Sequence, residues 1–217
     1  MERYFESDFT ELRDRLLRMA YLALENYDRA VTGFFTRDEA LLALAVERDG
    51  EIDQMELTVD AECVELLLRL QPFAKDLRFA AMSLKINTNL ERLGDQAVFM
   101  ARVGLDMLRK PAIRDWFQLP DLTTRARGAV ERAMKAFAAE DTALAREVKS
   151  GEVEINAIYR AMVRTLLHYA QSSPEQIPQA MDLLSVAQAL ERVADYAKNI
   201  ADEVIYLVEA VDVRHAK

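Results

Sequence analysis

The chain has 217 residues, of which 51% are hydrophobic, and it contains only six glycines and five prolines. This is enough for a substantial core, and the scarcity of turn-forming residues favours long helices over strands. The net charge of −9 excludes a general nucleic-acid binder, because contacts to phosphate need patches of lysine and arginine.

The apolar residues follow a helical spacing nearly throughout the chain, and this predicts six helices and no strand. A capping-box pattern, Thr36-Arg37-Asp38-Glu39, begins the second helix, and Gln71-Pro72 ends it. Ser173-Pro174-Glu175-Gln176 supplies an N-cap and an early proline for the sixth helix. The predicted helices cover about residues 9–33, 36–70, 72–108, 121–138, 141–169 and 174 to near the end, with a linker over 110–120.

The chain repeats itself. The segment Leu90-Glu91-Arg92-Leu93-Gly94-Asp95 returns 100 residues later as Leu190-Glu191-Arg192-Val193-Ala194-Asp195. Further upstream, Phe34 and Asp38 return at an offset of 103. Such matches predict an internal duplication, and short loops make consecutive helices antiparallel. We therefore expect an all-α protein of two tandem antiparallel three-helix bundles, residues 1–110 and 111–217.

Each copy of the repeated segment places two carboxylates four residues apart, which stacks them on one helix face. In a helical projection these carboxylates interrupt an apolar stripe instead of joining the charged face. Asp202 continues this row in the second half. The second predicted helix carries a complementary row, consisting of Asp49, Asp53, Glu56 and Asp60. The matching positions of the fifth helix are weaker and hold Glu152, Asn156 and Tyr159.

The two rows of each half lie at similar distances from the turn that joins their helices, so we expect them to meet. Facing carboxylates repel each other unless they are protonated or neutralised. Carboxylates without histidine are hard oxygen ligands that suit Mg²⁺, Ca²⁺, Mn²⁺ or oxidised iron. The sequence alone leaves a second interpretation open, in which both rows are solvated grooves flanked by arginines.

Enzymatic interpretations have less support. The helical di-iron proteins use Glu-x-x-His pairs, and this chain has none; His168 and His215 are its only histidines. It also lacks a glycine-rich phosphate loop and a nucleophile elbow. Two functional interpretations stay open at this point: a metal-dependent, carboxylate-bridged helical enzyme, and a metal-free helical scaffold whose acidic rows bind a basic partner.

The single cysteine, Cys63, excludes an intramolecular disulfide and agrees with a reducing cytoplasm. No apolar run reaches the about 18 residues that a membrane-spanning helix needs, and the start of the chain shows no signal-peptide pattern. We therefore expect a soluble, cytoplasmic protein that can still dock at a membrane complex. Homodimerisation is compatible with the apolar strips that long amphipathic helices leave at bundle edges.

The repeated segments, the Asp49-x-x-Ile52-Asp53 element and the run Gln71-Pro72-Phe73-Ala74-Lys75-Asp76-Leu77-Arg78 together resemble the PhoU family of phosphate-uptake regulators. The resemblance implies a cytoplasmic accessory protein and negative regulator of high-affinity phosphate uptake. It implies two partners, the ATPase subunit of the phosphate transporter and a phosphate-sensing histidine kinase, which would hold the protein at the membrane periphery.

The resemblance also implies multinuclear metal clusters, of iron or alternatively of manganese, magnesium, calcium or zinc. The residues that match the family's acidic elements are Asp49, Asp53, Glu91, Asp95, Glu152, Glu191, Asp195 and Asp202. Two departures stand out. Asn156 replaces an acid in the second half, and Phe99 and Arg102 replace the continuation that the second half keeps as Asn199-Ile200-Ala201-Asp202. Arg102 shares a face with Glu91 and Asp95, where it would act as a built-in cation.

Overall fold

The computed structural model describes residues 2–112 and 115–214, and this part of the chain is helical without any strand. His215 lies outside the described residues. Among these residues, no helix has the length and apolar character needed to cross a bilayer. The helices are α1 (Glu2–Thr36), α2 (Glu39–Glu47), α3 (Asp49–Leu70), α4 (Ala74–Met107), α5 (Leu119–Ala139), α6 (Thr142–Ser172) and α7 (Ile177–Glu209). A short 3-10 turn, Pro174–Gln176, precedes α7.

The helices form two bundles in tandem, which confirms the predicted all-α fold class. Helices α1, α3 and α4, with the short α2, pack together in the first half, and α5, α6 and α7 pack together in the second. The two bundles join mainly through α4 and α7. The boundary between residues 110 and 111 stays a prediction.

The predicted second helix is in fact two helices. The Arg48 N–H donates to the Leu44 carbonyl and ends α2, and α3 begins at the next residue. Asp49 and Gly50 follow the break, and both are poor helix formers. The equivalent helix of the second bundle, α6, is continuous.

The helix caps also differ from the prediction. Thr36 is the last residue of α1, and its hydroxyl donates to the Thr32 carbonyl, so it caps nothing downstream. Asp38 is the cap of α2, because its carboxylate accepts from the Ala40 and Leu41 N–H groups. Ser173 precedes the 3-10 turn ahead of α7, and its side chain makes no cap hydrogen bond; its carbonyl accepts from the Gln176 N–H.

The interface between α4 and α7 holds the bundles together near the repeated segments. Lys85 of α4 pairs with Glu203 of α7 at 3.2 Å, and Asn199 donates to Asn89 at 3.5 Å. These pairs show that the two helices run antiparallel across the interface. Elsewhere between the bundles, the buried Tyr27 hydroxyl donates to the Thr123 carbonyl at 2.9 Å.

Candidate metal centre

The first acidic site lies on the outer edge of the α3–α4 pair. Asp49 and Glu91 are partly buried, whereas Asp53 and Asp95 are exposed. Leu90, Leu93 and Ala97 of α4 form part of the core, so the carboxylates occupy the margin of the apolar stripe. The site is therefore open to ions and water from one side.

The two rows are close enough to perturb each other's ionisation. Burial raises the pKa of Glu91 to about 7, and the charges of Asp95, Glu56 and Asp53 add to this increase. Burial likewise raises the pKa of Asp49 to about 6, with further contributions from Asp53 and Asp95. Glu56 and Asp53 belong to α3 and Glu91 to α4, so the rows meet as the sequence predicts.

Arg102 is the nearby cation of this site. It lies close enough to Asp49 to lower the pKa of that carboxyl, although burial and the two neighbouring acids outweigh it. The sequence places Arg102 beside Glu91 and Asp95, and the structure shows its influence on the opposite row. The arginine therefore offsets only part of the negative charge that the two helices bring together.

Asn87 is a member of the site that the sequence analysis missed. Its amide nitrogen donates to the Glu56 carbonyl and to Asp60 Oδ1, both at 2.9 Å, and so joins α4 to α3. Its Oδ1 is buried and has no hydrogen-bond partner among the described residues. Asn87 is four residues before Glu91 and therefore lies on the same face of α4. This spacing is the sequence signal from which Asn87 could have been predicted.

The second bundle carries a smaller version of the same arrangement. Burial raises the pKa of Asp195, as do the charge and the hydrogen bond of Glu152. Glu191 also has a raised pKa, because of burial and then of Asp195 and Glu152. Asn156 donates to Glu152 Oε1 at 2.6 Å, and its own Oδ1 is buried without a partner in the described structure. An amide thus stands where the first bundle has a carboxylate, which lowers the negative charge of this site.

Asp202 has a different environment from the other predicted ligands. It is only 2% exposed, and Lys149 approaches Oδ1 at 2.8 Å. Lys198 lies 3.5 Å from Oδ2 on the same helix. The same Lys149 ammonium also donates to the Val213 carbonyl and so holds the segment after α7. Two ammonium groups therefore already compensate the charge of Asp202.

The carboxylate side chains are of a type that binds hard cations, but their oxygens do not converge on a single point. Within the described parts of the chain, no three His, Cys, Asp or Glu side chains surround a common point suited to a metal ion. Repelling carboxylates favour rotamers that keep their oxygens apart, so this geometry is expected without a cation. The orphaned amide oxygens of Asn87 and Asn156 are further hard donors. The ligand assignments remain predictions.

Fold and site together define the class of this molecule, a duplicated helical-bundle protein in which each copy carries acidic side chains on two facing helices. Residues 16–103 and 119–204 match the family model of the PhoU domain. The chain therefore belongs to the PhoU family, and this confirms the resemblance drawn from its repeated segments.

Relatives of known name are similar along nearly the whole chain. A phosphate-specific transport system accessory protein PhoU homolog from Pseudomonas putida is 34% identical over 99% of this chain and 84% of its own length. The homolog of the same name from Pseudomonas aeruginosa is 32% identical over 99% of this chain and 89% of its own length. These relatives are named as accessory proteins, in agreement with the prediction that the chain is not an enzyme.

Solved structures have the same fold. The crystal structure of PhoU from Pseudomonas aeruginosa superimposes with a TM-score of 0.93 at 31% identity, covering 95% of this chain and all of that one. The phosphate transport system regulatory protein PhoU from Streptococcus pneumoniae gives a TM-score of 0.89 at 23% identity, over 96% and 99% of the two chains. The second likeness concerns the fold alone.

Proposed function

We propose that this chain is a cytoplasmic accessory protein of the phosphate transport system. In this role it is a negative regulator of high-affinity uptake and of phosphate-starvation signalling. The observation that carries the proposal is its similarity, over 99% of the chain, to relatives named as accessory proteins of phosphate-specific transport. The duplicated acidic rows support it further, because they lie in both matched domains.

The regulatory role is tested by deletion of the gene in its own host. With abundant phosphate, loss of a negative regulator should turn on a phosphate-starvation reporter such as secreted alkaline phosphatase. Return of the wild-type gene should silence the reporter. A reporter that stays silent in the deletion strain would remove the regulatory proposal.

The proposed partners are the ATPase subunit of the phosphate transporter and a phosphate-sensing histidine kinase, and the proposed assembly is a homodimer. Binding to each purified partner can be measured by biolayer interferometry, and the oligomeric state by sedimentation. Saturable binding to both partners is expected. Failure to bind the ATPase subunit would contradict the proposal that this chain acts on the transporter.

The carboxylate rows are proposed to hold multinuclear metal clusters, with iron as the first candidate and Mn, Mg, Ca or Zn as the others. Burial, and then repulsion from neighbouring acids, raises the pKa values of Asp49, Glu91 and Asp195, and bound cations would offset both effects. The first bundle has the larger set of carboxylates, so it should retain more metal than the second.

Elemental analysis of protein purified without chelator tests the metal proposal. The variant Glu91→Ala/Asp95→Ala should lose more metal than Glu191→Ala/Asp195→Ala, because Asn156 already weakens the second site. The control Glu147→Ala alters an exposed acid on α6 and should retain the full content. Equal metal content in all four proteins would contradict the ligand assignment.

A metal-free scaffold is the second candidate, and the charge compensation by protein cations favours it. Arg102 acts on Asp49, and two lysines hold Asp202. If the partners bind equally well after exhaustive treatment with chelator, and binding weakens with salt, the scaffold interpretation replaces the metal one.

A further inference from the structure

The first helix extends beyond the duplicated unit. It has 35 residues, whereas its counterpart α5 has 21, and the first matched domain begins only at residue 16. The additional turns of α1 lie against the end of α3 and the start of α4. Phe9 packs edge-on against Phe79 with ring centroids 5.7 Å apart, and Asp8 pairs with Arg69 at 2.6 Å. The first bundle therefore has, at this end, turns of α1 that its counterpart α5 does not match.

A large apolar side chain is exposed on this surface. Phe73 is 84% exposed, and the partly buried Phe9 and Leu70 lie beside it. The left-handed backbone of Gln71, with a φ of 43°, turns the chain sharply ahead of Pro72. A hollow of about 290 Å³ lies beside Phe73 and is lined also by Phe9 and Leu70. It offers a place for one bulky apolar side chain of a partner.

Carboxylates surround the apolar residues. A second hollow of about 200 Å³ between α1 and α3 is lined by four acids and one arginine. We call this region the acidic end surface and define it by Phe73 together with Asp8, Glu11, Glu62, Glu65 and Asp76. Asp8 pairs with Arg69 and Glu62 with Arg15. Glu11, Glu65 and Asp76 make no ion pair within the described structure, so the surface keeps a net negative charge.

This combination of charge and exposed apolar area decides the kind of partner. A second copy of the same surface, a nucleic acid and an anionic membrane would each place negative charge against negative charge. A partner with lysines and arginines beside bulky apolar residues would satisfy both features at once. Amphipathic helices bind in this way, with apolar anchors in a groove and charges along its rim.

We propose that the acidic end surface binds a basic amphipathic helix of a partner protein. An apolar residue of that helix occupies the hollow beside Phe73, and its basic residues lie against Glu11 and Glu65. The proposal deepens the proposed accessory function and rests on it only in requiring a protein partner. It involves neither of the acidic rows of the candidate metal centre.

The test measures binding of a synthetic peptide to the full chain by fluorescence anisotropy. The probe is a dye-labelled peptide of leucine and lysine in amphipathic helical order, and a peptide of the same composition in scrambled order is the control. We expect saturable binding of the ordered peptide that weakens with salt. The variants Phe73→Ser and Glu11→Lys/Glu65→Lys should each weaken it about tenfold, because exposed aromatic residues and rim charges carry such contacts.

Matched variants on the second bundle separate this site from general attraction to an acidic protein. Met181→Ser removes a side chain that is 56% exposed, and Glu175→Lys/Glu147→Lys makes the same change in net charge as the double reversal. Both should leave the affinity within about twofold. Equal losses in both sets of variants, or equal binding of the scrambled peptide, would overturn the proposal.

A change from dimer to monomer in the Phe73→Ser variant would also overturn it, because a second copy would then cover the surface. Circular dichroism checks that each variant is folded. The phosphate-starvation reporter in the deletion strain tests the proposed regulatory function independently of peptide binding. A chain that represses the reporter but does not distinguish the peptides keeps its regulatory function and loses only this docking surface.

Discussion

Replacement of Glu91 by glutamine should stabilise the metal-free protein at high pH. The pKa of Glu91 is raised from 4.5 to about 7, so the folded protein binds this proton more tightly than the unfolded chain does. Stability therefore decreases as the pH rises from about 4.5 through about 7. The Glu91→Gln variant keeps the shape of the side chain and carries no charge at any pH, so it avoids this loss.

The size of the effect follows from the pKa shift and the exposure of the group. Each pKa unit corresponds to about 1.4 kcal/mol, so a fully buried carboxyl with this shift would lose about 3 kcal/mol. Glu91 lies at a solvent-open edge where water screens its neighbours, which reduces the expected effect to about 1 kcal/mol. For a protein of this length, this corresponds to a rise in Tm of about 2–4 °C.

The assay is urea denaturation of both proteins in the presence of chelator between about pH 5 and about pH 8. The free energies of unfolding should be similar at the acidic end and differ by about 1 kcal/mol at the alkaline end. The Glu147→Gln variant, which changes an exposed acid of α6, should follow the wild type throughout. A Glu91→Gln variant no more stable than the wild type at alkaline pH would refute the claim that burial and the neighbouring carboxylates raise the pKa of Glu91.

Five further variants test the packing and the buried polar contacts. Lys149→Met removes the nearer partner of buried Asp202 and should cost about 3 kcal/mol in urea denaturation, whereas Lys149→Met/Asp202→Leu should recover most of this loss. Gly104→Ala should lower the free energy of unfolding by about 1–3 kcal/mol, because the new Cβ would lie 2.8 Å from fully buried Leu42. Gly50→Ala is the control: no atom lies within 4 Å of its new Cβ, so it should raise the free energy of unfolding by about 0.5 kcal/mol. Tyr27→Phe should cost about 1 kcal/mol, through loss of the 2.9 Å hydrogen bond to Thr123, and a thermal shift measures it.

Most of the helical framework could be predicted from local patterns. The ends of α4 and α5 lie within about two residues of the predicted positions, because proline and the apolar period act over single turns. The break at Arg48 was missed, since the apolar period continues across it. The cap at Asp38 was assigned to the wrong residue of its motif, because Thr36 and Asp38 are both good N-caps and only the end of α1 chooses between them.

The candidate site was predictable in its position and less so in its chemistry. The four-residue spacing of Glu91 and Asp95 placed them on one face, and the duplication located their counterparts. Lys198, four residues before Asp202, is the one local sign that this acid differs from the others, and the closer partner, Lys149, comes from another helix. Asn87 carries no charge and belongs to no repeat, so its contacts with α3 appear only in the folded structure.

By itself, the sequence determined the helical class, the duplication and the faces on which the carboxylates lie, because helical periodicity and residue type are properties of neighbouring residues. Tertiary structure alone decided which acids receive a basic partner from another helix and how far burial raises their pKa. It also decided that the added turns of α1 meet the end of α3. These outcomes depend on desolvation and on charges that are distant along the chain, and packing alone brings them together.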